Sequence, residues 1–229
     1  MSAPTDSPRV LGLFAKRPDP GRVKTRLAAR ASPEWAARVA DAFLRDTVAR
    51  LGGIGDRRVL AFAPDDAHPF FAGLVGDRFA LRPQAEGDLG RRLSTFIAGE
   101  LEAGAGAVVV VGTDSPTLPP ALVEQAFREL GRADVVLGPA TDGGYYLLGS
   151  AGRLPPLFDG VAWGGGRVLA DTVARLADPG WRLAVLPPWY DVDTLDDWWA
   201  LCGHLAALRR AGIDPGVPLT ELLTQSPVP

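Results

Sequence analysis

Short apolar runs alternate with segments of helical spacing along most of the chain. The apolar runs predict strands over residues 9–14, 58–63, 79–82, 107–112, 134–137, 145–148 and 182–186. Apolar residues at three- and four-residue spacing predict helices over residues 33–51, 89–101, 119–130, 167–176 and 195–210, with Ser32 as a plausible cap of the first. Strands that alternate with helices of this length predict an α/β fold built on a mainly parallel sheet.

The clearest of these strands is the valine run that ends at Gly112 and leads to Asp114. An unbroken β-branched run is typical of a strand buried on both faces. A carboxylate just past its C-terminal end would lie in the crevice where open α/β sheets bind ligands. The alternatives for Asp114 are a turn residue or the N-cap of the next helix.

The size and composition predict one domain over residues 1–229, with a core over about 9–212 and a tail over 213–229. We expect a short helix at 219–223 and a frayed end at 225–229. The sequence holds no apolar stretch long enough to span a membrane and no secretion signal, so a cytoplasmic protein without a membrane partner is expected. The net charge of −3 without a basic block argues against nucleic acid as a partner.

Cysteine and histidine are too scarce to carry much chemistry. The single cysteine, Cys202, excludes an intrachain disulfide and a cysteine-based zinc site, and its helical apolar setting predicts a core position. His68 and His204 are the only histidines, so a histidine-rich metal site or a histidine relay is not expected.

The loop after the first predicted strand collects positive charge. Its basic residues are Lys16, Arg17, Arg22, Lys24 and Arg26, and it contains the only two lysines of the sequence. Compact ammonium groups bind phosphate as point charges, and backbone amides near Gly21 would add to them. The segment has neither a Walker lysine nor a Gly-x-Gly-x-x-Gly pattern. It predicts a di- or triphosphate site, and the alternative is a solvated basic turn.

Carboxylates follow several of the predicted strands. Asp142 lies in a Thr-Asp-Gly-Gly segment that is also an ordinary hairpin signal. Asp191 and Asp193 precede the last helix, where Thr194 would be the cap and the next acidic residues would suit the first turn. Carboxylates that converge with a cationic loop suit Mg²⁺ or Mn²⁺ bound to a substrate diphosphate.

Gly87 and Gly90 bracket Asp88 just before the second predicted helix. This segment is either a capped helix start or a slot for a nucleobase, in which Gln84 or Asp88 would donate or accept hydrogen bonds.

Five motifs in order resemble a known family. They are Phe14 to Leu27, Gln84 to Leu89, Gly112 to Leu118, Ala140 to Leu147 and Asp191 to Thr194. The chain looks like a member of the glycosyltransferase-A-like (GT-A-like) family that carries the DUF2064 domain, some of whose members are named as arsenosugar-biosynthesis glycosyltransferases. It is more distantly similar to 2-phospho-lactate and molybdenum cofactor guanylyltransferases.

The resemblance implies a GT-A-like, three-layer α/β/α fold with a mostly parallel central sheet. It assigns Lys24 and Arg26 to phosphate binding and Asp114 and Asp193 to a metal. The sequence departs from its relatives at Trp163–Arg167, where they commonly have Trp-Ser-Thr-Pro, which leaves the acceptor open.

These residues predict a transferase that uses a nucleotide-diphosphate donor. We expect Lys16, Lys24 and Arg26 to bind phosphates, and Asp142 to orient or deprotonate a small-molecule acceptor. The segment of Gln84, Gly87 and Asp88 is expected to face the base. Glycosyl transfer from a nucleotide sugar is favoured over nucleotidyl transfer from a nucleoside triphosphate, which would need a further phosphate site such as Arg153 and Arg167. A non-catalytic nucleotide-binding protein is the third hypothesis.

The aromatic residues near the end of the chain leave three interpretations open. A core cluster, an acceptor platform or the surface of a homodimer would each explain Trp189, Tyr190, Trp198 and Trp199.

Overall fold

The computed structural model describes residues 7–214 of the chain. The strands are β1 (Arg9–Lys16), β2 (Arg57–Ala63), β3 (Ala80–Pro83), β4 (Ala107–Val111), β5 (Val135–Pro139), β6 (Tyr145–Ala151) and β7 (Leu183–Val185). The helices are α1 (Thr25–Ala28), α2 (Pro33–Leu51), α3 (His68–Val75), α4 (Leu89–Glu102), α5 (Pro120–Glu129), α6 (Val168–Ala174) and α7 (Leu195–Arg210). The helix predicted at 219–223 and the end at 225–229 lie outside the described residues.

The strands form one seven-stranded sheet in the order β3-β2-β1-β4-β6-β5-β7. All neighbouring pairs are parallel except those of β6, which runs antiparallel to both β4 and β5. The mostly parallel sheet is thus confirmed. The exception arises because Ala140–Gly144 forms a tight turn, in which the Ala140 amide donates to the Gly144 carbonyl at 3.0 Å. Asp142-Gly143 therefore acts as the hairpin signal that its sequence suggested.

Helices cover both faces of the sheet. One hydrophobic core packs α2, α3 and α5 against one face, and a second packs α4 and the start of α6 against the other. The valine strand β4 contributes to both, since Val109 and Val111 lie in the first core and Val108 and Val110 in the second. The predicted burial of this strand on both faces and the α/β/α layering are confirmed.

A third core joins the last helix to the first half of the chain. Trp198, Leu201 and Leu205 of α7 pack against Trp35 and other residues of α2, and Trp35 and Trp198 meet edge to face with ring centroids 4.9 Å apart. Cys202, predicted to be a core residue, is partly buried and packs against the edge of this core. No helix within residues 7–214 is long and apolar enough to cross a membrane.

Candidate functional site

The site lies along the edge of the sheet where the parallel strands end. Loops from this edge enclose a large cavity of about 720 Å³ and, beside it, a smaller one of about 280 Å³. All the predicted site residues line one or both: Lys16, Lys24, Gln84, Gly87 and Asp88 the large cavity, Arg26 and Asp142 the small one, and Asp114 and Asp193 both. The carboxyl edge of a parallel sheet is where α/β proteins bind ligands.

The two cavities meet at a cluster of three charged residues. The Lys24 ammonium forms an ion pair with Asp114 and lies 2.9 Å from Oδ1 of Asp193. The Lys24 side chain is only 4% exposed. Burial lowers the pKa of Lys24, but the charges of Asp114 and Asp193 outweigh that effect and raise the pKa above its usual value. The lysine is therefore held charged between two carboxylates.

Backbone contacts bring Asp114 and Asp193 together. The segment after β7 crosses the edge of the sheet, where the amides of Leu186 and Trp189 donate to the carbonyls of Leu137 and Pro139 in β5. It reaches the end of β4 when the Val192 amide donates to the Asp114 carbonyl at 3.0 Å. Residues that are far apart in the sequence thus meet at a single point.

The start of α7 fixes the orientation of this segment. The Thr194 side chain accepts a hydrogen bond from the Asp197 amide, and the Asp197 carboxylate accepts from the amides of Asp193 and Thr194. This is a capping box, so the predicted role of Thr194 is confirmed. Asp114, in contrast, is not a helix cap, because Pro119 occupies that position before α5.

Among residues 7–214, no three His, Cys, Asp or Glu side chains are grouped to hold a metal ion by themselves. Asp114 and Asp193 nevertheless reach one cation together, the Lys24 ammonium. Proteins commonly hold Mg²⁺ with one or two carboxylates when substrate phosphates supply further oxygens. The two residues fit a metal that arrives with a phosphorylated ligand.

The segment predicted to face the base has structural contacts of its own. Asp88 is the N-cap of α4 and accepts from the Arg91 amide at 2.8 Å. The Gln84 amide group donates to the carbonyls of Ala15 and Ala61, and its oxygen accepts from Arg92. Both side chains therefore hold the wall of the large cavity in place, and the capped helix start proposed for Asp88 is confirmed.

Comparisons with known proteins identify the family of this chain. A family model described as "Uncharacterized protein conserved in bacteria (DUF2064)" matches residues 47–165. The chain belongs to the DUF2064 family. No curated protein sequence matches it.

Solved structures place the DUF2064 fold among nucleotide-diphospho-sugar transferases, which confirms the predicted fold. A crystal structure from Desulfovibrio desulfuricans G20, provisionally described as a nucleotide-diphospho-sugar transferase, shares 31% identity over 95% of this chain and 97% of its own, with a TM-score of 0.84. A nucleotidyl transferase from Methanothermobacter is 14% identical over 87% of this chain and 98% of its own, with a TM-score of 0.57.

A third similar structure is Rv0371c of Mycobacterium tuberculosis H37Rv in complex with manganese. It is 20% identical over 86% of this chain and 98% of its own, with a TM-score of 0.50. At this level of identity the likeness concerns the fold.

The small cavity of this DUF2064 protein is acidic. Asp142 and Asp191 line it together with Asp114 and Asp193, and Arg26 is the one basic residue in its described lining. Oδ1 of Asp142 accepts a hydrogen bond from the Gly144 amide at 2.7 Å, which leaves its second oxygen for a ligand.

Asp191 is a site residue that the sequence left without a role. Burial raises the pKa of Asp191 to about 6, and the charges of Asp142 and Asp193 add to the effect. The signal in the sequence was that a helix cap explains Asp196 and Asp197 but not this residue. The sequence left open the role of the loop that begins at Trp163. In the structure Trp163 lines both cavities and packs over Gly90, where a side chain would collide with the indole.

Two arginines considered for an acceptor phosphate contact other side chains. The Arg153 guanidinium stacks 4.0 Å from the ring centroid of Trp181, and Arg167 pairs with Asp171 on α6. Neither lines the two cavities.

The aromatic residues near the end of the chain form a core cluster only in part. Trp198 is buried in the core, Trp189 and Tyr190 are partly buried, and Trp199 is 56% exposed. The Tyr190 hydroxyl lies 2.8 Å from the Thr117 hydroxyl and 2.7 Å from Nδ1 of His204. These contacts tie the loop after β4 to α7, behind Asp114.

Proposed function

We propose that this DUF2064 protein is a metal-dependent transferase that takes a nucleotide-diphosphate donor and passes a glycosyl group to a small-molecule acceptor. The donor would occupy the large cavity, with its diphosphate at Lys16 and Lys24 and its base near the Gln84 to Leu89 segment. Arg26 would contact the diphosphate from the adjoining small cavity. The acceptor would occupy the small cavity. The two cavities adjoin at Asp114 and Asp193, where the glycosyl group would pass from the donor to the acceptor.

The observation that carries this choice is the charge of the small cavity. Nucleotidyl transfer to a phosphorylated acceptor would bring a second phosphate against Asp142 and Asp191, with Arg26 as the only basic residue in the described lining. The negative charges of that phosphate and of the two carboxylates would repel strongly in a partly buried site. An acceptor that offers hydroxyl or amino groups meets no such penalty, which favours glycosyl transfer.

In this proposal Asp114 and Asp193 hold Mg²⁺ or Mn²⁺. The metal would neutralise charge that builds on the leaving diphosphate. Lys16, exposed in the lining of the large cavity, and Arg26, exposed in the lining of the small one, would add positive charge near the diphosphate.

Asp142 would orient the acceptor or take its proton, and Asp191 is a second candidate for that role. A general base works best when its pKa lies near the operating pH. Burial brings the pKa of Asp191 into that region. Asp142→Asn and Asp191→Asn, made as separate variants, would show which of the two carboxylates the transfer requires.

The test compares donors by titration calorimetry with Mn²⁺, using matched pairs such as UDP-glucose and UTP, GDP-mannose and GTP, and the corresponding cytidine and adenine compounds. We expect one nucleotide sugar to bind more tightly than its triphosphate, and binding to weaken at least tenfold in Asp114→Asn. Tighter binding of a triphosphate, with pyrophosphate released in turnover, would instead support nucleotidyl transfer. No metal-dependent binding of any nucleotide would overturn the transferase proposal.

A further inference from the structure

Lys24 has an unusual backbone conformation. With φ of 47° and ψ of 44°, it is the only non-glycine residue in the described part of the chain with a positive φ. L-residues other than asparagine and aspartate rarely adopt this region, and residues held there cluster at functional sites. The neighbouring Thr25 begins α1, so the strained residue lies at the junction between the cationic loop and the first helix.

This conformation accompanies a side chain directed away from solvent. The Lys24 ammonium contacts both Asp114 and Asp193 and lies 5.6 Å from the ring centroid of Phe43. Phosphate oxygens entering the large cavity would meet this nitrogen only where it is already engaged by carboxylates. A role in phosphate binding therefore requires the ammonium to change partners.

The two carboxylates are also those that would hold the metal. An ammonium and a divalent ion cannot occupy the space between them together, because two positive charges a few ångströms apart repel strongly where solvent is scarce. Either cation satisfies Asp114 and Asp193, so the two compete for one position.

We propose that Lys24 occupies the metal position in the donor-free protein and leaves it when the donor diphosphate binds, so that metal and donor bind cooperatively. This rests on the proposed function for the metal site at Asp114 and Asp193 and for the identity of the diphosphate ligand. The exchange keeps charge paired at each step, since the ammonium passes from carboxylates to phosphate as the metal takes its place. Lys24 is thus a positioning residue that links the metal site to the donor site.

Coupling of this kind is reciprocal. The factor by which a donor tightens metal binding equals the factor by which the metal tightens donor binding, and typical factors are about 5- to 150-fold. Lys24 would set this factor, because without its ammonium the carboxylates are open to metal at all times.

The first experiment measures Mn²⁺ alone, by electron paramagnetic resonance of the free ion and by calorimetry. We expect Lys24→Met and Lys24→Gly to bind Mn²⁺ at least tenfold more tightly than the wild type. Glycine adopts positive φ without strain, so Lys24→Gly keeps the backbone should the methionine variant fail to fold. Lys16→Met is the matched control, because it removes a lysine from the same loop and cavity but not from the carboxylates.

A double variant tests whether the additional Mn²⁺ binding occurs at the two carboxylates. Adding Asp114→Asn to Lys24→Gly should abolish the gain in Mn²⁺ affinity. Equal Mn²⁺ affinity in the wild type and both Lys24 variants, or an equal gain in Lys16→Met, would overturn the proposal.

The second experiment measures UDP, GDP, CDP and ADP binding with and without Mn²⁺. The expected result is cooperativity in the wild type and its loss in Lys24→Gly. Metal coupling of the same size in the wild type and in Lys24→Gly would overturn the exchange of partners and leave the proposed function standing. If no nucleotide binds while the Lys24 variants still gain Mn²⁺ affinity, the proposed function fails and the occupancy of the metal position by Lys24 stands.

Discussion

Asp191 lies half-buried between two other carboxylates, which is an unfavourable place for a negative charge. Its pKa of about 6 in the folded protein exceeds the usual value of an unfolded aspartate, about 3.9. The unfolded chain therefore releases this proton first as the pH rises. The resulting penalty on the folded state develops between about pH 4 and pH 6 and is complete above that range.

We therefore expect Asp191→Asn to stabilise the protein at pH 7.5 by about 1 kcal/mol, less than the roughly 3 kcal/mol of a fully shielded site because solvent screens a half-buried group. The gain should shrink toward zero at pH 4.5. Urea unfolding followed by tryptophan fluorescence at both pH values measures it. A loss of stability in Asp191→Asn at both pH values, or an equal gain at both, would contradict this account.

At the residue scale, the sequence placed the predicted side chains around one site but did not indicate their partners. Lys24 and Asp114 were assigned to phosphate and metal because of their residue types and the positions of their loops. Their mutual ion pair occurs together with a positive φ at Lys24, which the residue type lysine does not signal. Asp88 shows the reverse, because its capping role follows from local sequence alone.

The segment before α7 is the element that orients Asp193. Its capping box depends on the Thr194 hydroxyl, which accepts the Asp197 amide hydrogen at the first turn. Thr194→Ala should lower the free energy of unfolding by about 1 kcal/mol, the typical cost of losing an N-cap, whereas Thr194→Ser should restore most of it. Chemical denaturation of the three proteins provides the measurement. Equal stability of the alanine and serine variants would show that the hydroxyl does not act as a cap.

The β5–β6 turn approaches the glycine loop after Trp163 very closely. A Cβ at Gly143, whose φ is 90°, would lie 2.2 Å from the Gly166 carbonyl oxygen, so Gly143→Ala must push these two walls of the small cavity apart. We expect donor affinity in the large cavity to change less than twofold and the transfer rate to fall at least tenfold.

Gly152→Ala is the matched control for that change. Gly152 also has a positive φ, of 72°, but open space surrounds its would-be Cβ. It should lose stability from backbone strain and keep its transfer rate. A comparable loss of rate in both variants would indicate general destabilisation rather than damage to the acceptor wall.

Elements with a long periodic pattern were predictable from sequence, and short ones were not. The bounds of α2 and α7 agree with their apolar spacing, because each buries one stripe over several turns. The four residues of α1 are too few to show a period, and α3 was missed as well; it is short and begins with His-Pro. The antiparallel direction of β6 was signalled only by Asp142-Gly143, which served equally well as a ligand loop.

At the scale of the whole molecule, the alternation of strands and helices predicted the α/β/α layers. The composition of the site depends instead on the order of the strands in the sheet. The segment after β7 starts at the edge of the sheet and crosses β5 and β6 to meet the loop of β4. Hydrophobic pattern contains no information on such a crossing, since it depends on backbone hydrogen bonds such as that from Val192 to Asp114. That carboxylates would converge at this edge was expected from their positions after predicted strands, but the assignment of Asp114 and Asp193 as the pair that binds a metal came from the family resemblance.

A donor in the large cavity would contact loops from both sides of β4, so its binding should stabilise the whole fold. A ligand that binds only the folded state at 100 times its dissociation constant contributes about 2.7 kcal/mol. For a chain of 229 residues this corresponds to a rise in melting temperature of roughly 5–10 °C. We expect this rise with Mn²⁺ and the preferred nucleotide together, measured by differential scanning fluorimetry.

The melting-temperature shifts with Mn²⁺ alone, with the nucleotide alone and with both together distinguish cooperative from independent binding. If Lys24 excludes the metal from the donor-free protein, Mn²⁺ alone should shift the melting temperature little, and the pair should shift it by more than the sum of the separate effects. Asp114→Asn should remove the metal-dependent part and keep the nucleotide's own. Strictly additive shifts in the wild type would mean that the two sites are independent, because coupling through a shared position cannot leave the free energies additive.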